Sequence, residues 1–251
     1  MSLVKISAVS YLNTFPFVYG IIHSGLIDDY VLELDVPSIC AEKLKNGDVD
    51  IALVPVGAIP GLPDPRIITN FCIGAVRNVK SVLLLSNQPL DSIERISLDF
   101  DSRTSVQLVK VLANRFWKIN PEWVDLKSGQ AGAMPGKEAV VAIGDKTFEM
   151  ANHFKYVYDL AEEWIKFTSL PFVFAAWMSL KPISPATINS LNAALEWGIE
   201  RKAESIHFFK DRLPACEDCL GYLENNISYA LDDAKQEGLD KFLGFLRENK
   251  V

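Results

Sequence analysis

The chain has 251 residues, 49% of them hydrophobic and 23% charged, a balance that fits a globular protein of one or two domains and excludes a disordered chain, a collagen or a disulfide miniprotein. Its 25 basic and 32 acidic residues give a formal charge of −7, which argues against a nucleic-acid partner, since such binders are normally basic. With three histidines, chemistry that needs a cluster of imidazoles is starved of parts.

The predicted elements alternate along the chain. Val4–Val9 is a short apolar strand. Residues 17–23 are helix-compatible and close at Gly25, and residues 30–36 alternate as a strand does. A short helix over 41–45 ends at Asn46-Gly47, a C-cap signal. A buried strand over 50–56 leads into a loop over 57–65, punctuated by Pro60, Gly61, Pro63 and Pro65. This βαβαβ order predicts a mainly parallel sheet with right-handed crossovers. Strand-like runs follow at 67–76 and 80–86, and Asn87-Gln88-Pro89-Leu90 breaks the pattern. A second α/β series has a strand at 95–98, a helix at 105–117, a strand at 123–126, a Gly-rich connection over 128–137, and strands at 139–143 and 156–160. Residues 172–180 are apolar and strand-like. From Ser184 the chain reads as helical to its end, with Ile188, Leu191, Leu195, Ile199 and Ile206 at helical spacing, then Leu223, Ile227, Ala230, Ala234, Phe242 and Phe245.

This order predicts two lobes, residues 1–86 with 182–251 and residues 87–181, the C-terminal helices packing back on the first. A chain that leaves a lobe and returns makes two connections, and so a hinged cleft suited to a ligand. No basic leader precedes the first strand and no apolar run is long enough to span a membrane, so the expected compartment is the cytoplasm, with no membrane partner.

Familiar catalytic signatures are missing: no G-x-G-x-x-G after the first strand, no phosphate-binding loop, no G-x-S-x-G elbow and no H-E-x-x-H. His23, His153 and His207 are far apart and read as surface or packing residues. Cys40, Cys72, Cys216 and Cys219 do not make a disulfide framework, and the lone C-x-x-C at 216–219 lacks two further ligands for zinc, so it reads as two thiols on a helical turn. No metal is expected. Glu162-Glu163 reads as the first turn of a helix, and Trp164, Phe172, Phe174 and Trp177 as core, with room for one to wall a cleft.

The informative places are strand ends, where α/β sheets hold ligands. Four carry small polar residues: Ser10-Tyr11-Leu12-Asn13-Thr14, Pro37-Ser38, Asp99 to Ser105, and Gly144-Asp145. At the third, Ser102, Thr104 and Ser105 can cap the helix that follows. They can also hold a carboxylate beside its unpaired N–H groups, with Arg103 adding a fork of donors.

The segments Ser10-Tyr11-Leu12-Asn13-Thr14 with Pro16 and Gly20, Asp50 to Val56, Ser81 to Ser86, Ser102 to Ser105, Ile143-Gly144-Asp145, Asp159 to Trp164 and Leu170 to Trp177 occur in an order that resembles the chorismate dehydratase family of the futalosine route to menaquinone. The resemblance runs over roughly residues 4–200 and weakens in the last helices. It implies an α/β periplasmic-binding-protein-like fold of type II, with a cleft between two lobes. It implies a hydro-lyase that removes water from chorismate to give 3-[(1-carboxyvinyl)oxy]benzoate, without cofactor or metal. It makes Asn13 the key catalytic side chain, with Ser10, Tyr11, Ser38, Pro55, Ser81, Ser102, Arg103, Thr104, Ser105 and Asp145 around the substrate. Lys146-Thr147 departs from the small apolar residues common in relatives. Two other readings share the fold: a small-anion binding protein without catalysis, and the sister 1,4-dihydroxy-6-naphthoate synthase, which differs at the first motif. Chorismate is the expected small-molecule partner, and a homodimer is a candidate assembly.

Overall fold

Two mixed sheets organise the chain in a computed structural model, which describes residues 3–99, 102–125 and 138–248. The Gly-rich connection expected over 128–137 lies outside the described residues. The first sheet opens with β1 (Val4–Val9), α1 (Phe15–His23), β2 (Tyr30–Asp35), α2 (Pro37–Asn46) and β3 (Ile51–Pro55). Here β1 pairs in parallel with both β2 and β3, as the βαβαβ order predicts. Helix α2 begins at Pro37, whose fixed φ and missing N–H suit the first turn, and ends at Gly47 with φ +78°. The expected 41–45 segment is therefore only its second half, and Ser38 lies inside it.

The chain continues through β4 (Arg66–Ala75) and β5 (Val82–Ser86) to β6 (Arg95–Leu98), α3 (Arg103–Leu112), β7 (Glu122–Asp125), β8 (Glu138–Ile143), α4 (Thr147–Met150), β9 (Tyr156–Asp159), α5 (Leu160–Thr168) and β10 (Phe172–Ser179). It ends with α6 (Pro185–Ile199), α7 (Lys202–Phe208), α8 (Cys219–Asn225), β11 (Ser228–Ala230) and α9 (Asp233–Glu248). The first sheet has the order β11-β4-β10-β3-β1-β2 and the second β7-β6-β8-β5-β9.

Three sequence-based expectations change. The first sheet is not mainly parallel: β10 inserts antiparallel between β3 and β4, and β11 adds antiparallel to β4. Strand β5, grouped from the sequence with the first lobe, pairs with β8 and β9 of the second sheet, whereas β10, grouped with the second, lies in the first. The crossover thus precedes Val82, where Lys80 has φ +63°, rather than following Ser86. The tail is not all helix either, because β11 interrupts it. Ile227 and Ala230 flank a buried Tyr229 there, and a three-residue strand leaves no periodicity to detect.

The C-terminal helices pack back on the first sheet's side, with α6 against α1 and β4 and α9 against β10. Where α1 meets α6, a Cβ on Gly20 would lie 2.0 Å from the Ala194 carbonyl oxygen, and one on Gly198 2.0 Å from that of Pro16. The helices therefore touch backbone to backbone. Trp164, Phe172 and Trp177 are fully buried in the core. Among the described residues no helix is long and apolar enough to cross a membrane.

Candidate functional site

A cleft opens where the carboxyl ends of β1, β3 and β8 meet the first turns of α2 and α3 and the crossover before β5. Six of the expected residues line it: Tyr11, Asn13, Pro55, Ser81, Ser102 and Ser105. Val9, Thr14, Pro37, Ile73, Gly144, Phe174 and Ala175 complete much of the wall. The first sheet contributes Tyr11 and Asn13 and the second contributes Ser102 and Ser105, so the site forms only where the two units face each other.

Local sequence explains each polar group. After β1 the chain turns through Leu12–Thr14 into α1, where Pro16 in the first turn has no N–H and so leaves no orphan donor to satisfy. Thr14 Oγ1 donates to Asn13 Oδ1 at 3.0 Å, and Tyr229 Oη donates to the Asn13 carbonyl oxygen at 3.0 Å. Asn13 is thereby held at both its side chain and its backbone. Ser102 caps α3: its Oγ accepts from the Ser105 N–H at 3.2 Å and lies 3.0 Å from Ser105 Oγ. The same hydroxyls that cap the helix thus face the cleft, so capping and ligand contact are not exclusive here.

The remaining expected residues do not line the cleft, and two of them, Asp145 and Thr104, brace it. Asp145 accepts from the Leu12 N–H through both carboxylate oxygens, each at 3.1 Å. It ties the loop after β8 to the turn after β1. Burial pushes its carboxyl up to about 6, against the opposing pull of that N–H and of Arg212. Thr104 Oγ1 accepts from the Gly57 N–H at 3.0 Å and donates to the Phe174 carbonyl oxygen at 2.9 Å, a second tie between the two sides. Arg103 does not reach the cleft; its guanidinium pairs with Glu42 at 3.3 Å on the surface. Ser10 extends the β1–β2 pairing through its N–H to the Asp35 carbonyl oxygen. Ser38 sits beside the cleft-lining Pro37 without lining the cleft itself.

The departure at Lys146-Thr147 has a local explanation. Lys146 forms an ion pair with the buried Asp99 at the end of β6. Thr147 is fully buried and donates to the Gly144 carbonyl oxygen at 2.8 Å, stiffening the turn that carries Asp145. Gly144 itself has φ +70°, and a Cβ there would lie 2.8 Å from the Tyr11 ring. Glycine is required on both counts.

Two residues escaped the sequence reading. Tyr222 of α8 is buried, and its hydroxyl donates to Ser81 Oγ at 2.7 Å; Tyr229 holds Asn13 as described. Both belong to the tail, where helical periodicity masked them and where the family resemblance fades. Phe174, read as core with room for one aromatic to wall the cleft, does line it. Cys216 precedes α8 and Cys219 opens it, with Cys219 Sγ donating to the Cys216 carbonyl oxygen at 3.4 Å. Burial and the neighbouring Cys216 push the Cys219 thiol up to about 12. Among the described residues no group of His, Cys, Asp and Glu is arranged to hold a metal ion.

Comparison with known proteins places this geometry. A family model described as menaquinone biosynthesis matches residues 4–248. A chorismate dehydratase of Thermus thermophilus is 26% identical over 227 residues, covering 82% of this chain and 83% of the relative. A solved structure from Archaeoglobus fulgidus superposes with a TM-score of 0.79 at 15% identity, covering 98% of this chain and 97% of that one. A Candida albicans protein described as having the generic periplasmic binding protein fold gives 0.69 at 14% identity, over 100% and 92% of the two chains. The periplasmic aliphatic sulphonate binding protein of Escherichia coli gives 0.61 at 14% identity, over 100% and 94%. The fold is therefore periplasmic-binding-protein-like, with its cleft between the two sheets.

Proposed function

The chain belongs to the menaquinone biosynthesis family, and from that premise we propose that it is a chorismate dehydratase, a hydro-lyase that converts chorismate to 3-[(1-carboxyvinyl)oxy]benzoate. The observation that carries the reading is the meeting of Asn13, Ser81, Ser102 and Ser105 in one cleft. All four are neutral side chains able to donate hydrogen bonds to the oxygens of a small dicarboxylate. The similarity to the Thermus thermophilus enzyme supports the same reading.

Chorismate carries a ring hydroxyl next to the carbon that bears the enol ether. Dehydration breaks the bond from ring carbon to hydroxyl and the C–H bond at the ether carbon. The C–H electron pair enters the ring, and the proton and hydroxide depart together as water. The product ring is aromatic, so the driving force lies in the substrate, and the protein's task is orientation and help for the leaving oxygen. No strong base lines the cleft among the described residues. The enolpyruvyl carboxylate of the substrate then takes the ring proton and passes it to the departing hydroxide, completing the water, and Asn13 orients that carboxylate or donates to the leaving oxygen. The Ser102 and Ser105 hydroxyls, at the positive end of the α3 dipole, receive a carboxylate.

The test is direct: incubate the protein with chorismate and follow the loss of one water by mass spectrometry. Conversion is the expected result. Chorismate recovered unchanged from folded protein overturns the dehydratase reading and leaves a binding protein of the same fold.

A further inference from the structure

Tyr222 stands behind the cleft wall, on a helix that the dehydration scheme above does not use. Its side chain is 3% exposed, and its ring packs edge-on against Phe148 with centroids 5.0 Å apart. Its hydroxyl touches the cleft-lining Ser81. Tyr222 Oη donates to Ser81 Oγ at 2.7 Å, across 141 positions of sequence.

The direction of this bond follows from what each group can do. A phenol is a better proton donor than an aliphatic alcohol, so Tyr222 donates to Ser81 and not the reverse. Ser81 is 1% exposed, and its own hydroxyl proton then has only the cleft to point into, since no other acceptor for it occurs among the described residues. Burial holds Tyr222 above the ordinary phenol range, which favours the neutral donor.

We infer that Tyr222 is a positioning residue: it donates to Ser81 and so turns the Ser81 O–H toward the substrate oxygens. A serine can present a donor or an acceptor. With the tyrosine behind it, Ser81 presents a donor, which is the polarity a carboxylate or a departing hydroxide needs. The inference rests on the dehydratase reading for its substrate, but the hydrogen-bond relay itself does not.

The experiment compares the full chain as wild type, Tyr222→Phe, Ser81→Ala and the double variant. Tyr222→Phe should lower kcat by about 10- to 100-fold while KM moves by less than about threefold, because an oriented donor matters most where charge develops. The double variant should be only about as slow as Ser81→Ala, since a residue acting through its neighbour contributes little once that neighbour is gone. A kcat within about twofold of wild type, or losses that multiply in the double variant, overturns the inference. If Tyr222→Phe fails to fold, 3-fluorotyrosine placed at position 222 keeps the shape and strengthens the donor; an unchanged kcat then overturns it. The relay is also read without substrate. The NMR signals of Ser81 should shift in Tyr222→Phe, and unchanged signals overturn the relay. Wild-type protein that leaves chorismate intact while these signals do shift overturns the dehydratase reading alone.

Discussion

Asn13 and Asp145 lie close together at the cleft, yet the structure gives them different work. Asn13 lines the cleft with its Oδ1 satisfied by Thr14 and its carbonyl by Tyr229. Asp145 turns both oxygens to the Leu12 N–H and does not line it. Asn13→Ala should therefore cost about 10²- to 10³-fold in kcat with chorismate binding retained, as removal of an oriented donor does, measured by steady-state turnover beside calorimetric binding. Asp145→Asn keeps an oxygen for Leu12 and should retain activity within about threefold. Its signature is in stability. Burial raises the Asp145 carboxyl to about 6, so the folded state prefers the protonated acid. That contribution is complete below about pH 4 and is lost as the pH rises through about 6. The stability of wild type relative to Asp145→Asn, from urea unfolding, should fall by roughly 2–3 kcal/mol between about pH 4 and 7. A flat difference across that window removes the buried carboxyl from the account.

Among the elements, the pair α1 and α6 governs how the turn bearing Asn13 is seated. Helix α1 begins two residues after Asn13, and α6 holds it at a distance only glycine permits, with Gly20 against the Ala194 carbonyl and Gly198 against that of Pro16. A methyl group at Gly20 would have to push the helices apart. Gly20→Ala should destabilise the fold by about 1–3 kcal/mol, as overpacking does. It should also raise KM, because moving α1 moves Asn13. Urea midpoints and steady-state kinetics on the same samples check both effects. Helix α8 plays the matching part on the other wall, since its start at Asp218, which caps the Gly221 N–H at 2.8 Å, fixes where Tyr222 meets Ser81.

For the whole molecule, the charge of −7 bears on binding. An acidic protein gains nothing from its overall field when the ligand is a dianion, and repels it weakly at long range. Arg103, the cation that the sequence offered for the site, is occupied by Glu42 at the surface. Attraction is left to hydroxyls, amides and the N-terminal turn of α3, which act only at contact. Raising ionic strength from about 0.01 to 0.15 M shrinks the screening length from about 30 to 8 Å. KM for chorismate should then stay level or fall. A KM that climbs with salt would show that a steering cation had been overlooked.

Local sequence determined much of this protein by itself. The alternation of strand and helix periods, the cap at Ser102, the glycine closing α2 and the polar strand ends are set by neighbours a few residues apart, and so are legible in the chain. The motif at Ser10 to Thr14 and the segments that follow it also pointed to the family. Only the tertiary structure decided which strand ends share a cleft. The insertion of β10 between β3 and β4, the passage of β5 into the second sheet and the late strand β11 are pairings across many residues, with no local period to announce them. The same holds for the roles within the site. Asp145 and Thr104 became ties between the two sides, Arg103 moved out, and Tyr222 and Tyr229 came in from a tail that looked like helical core. A hydrogen bond such as Tyr222 to Ser81, spanning 141 positions, depends on where two sheets and a helix finally pack, and no short stretch of sequence carries that information.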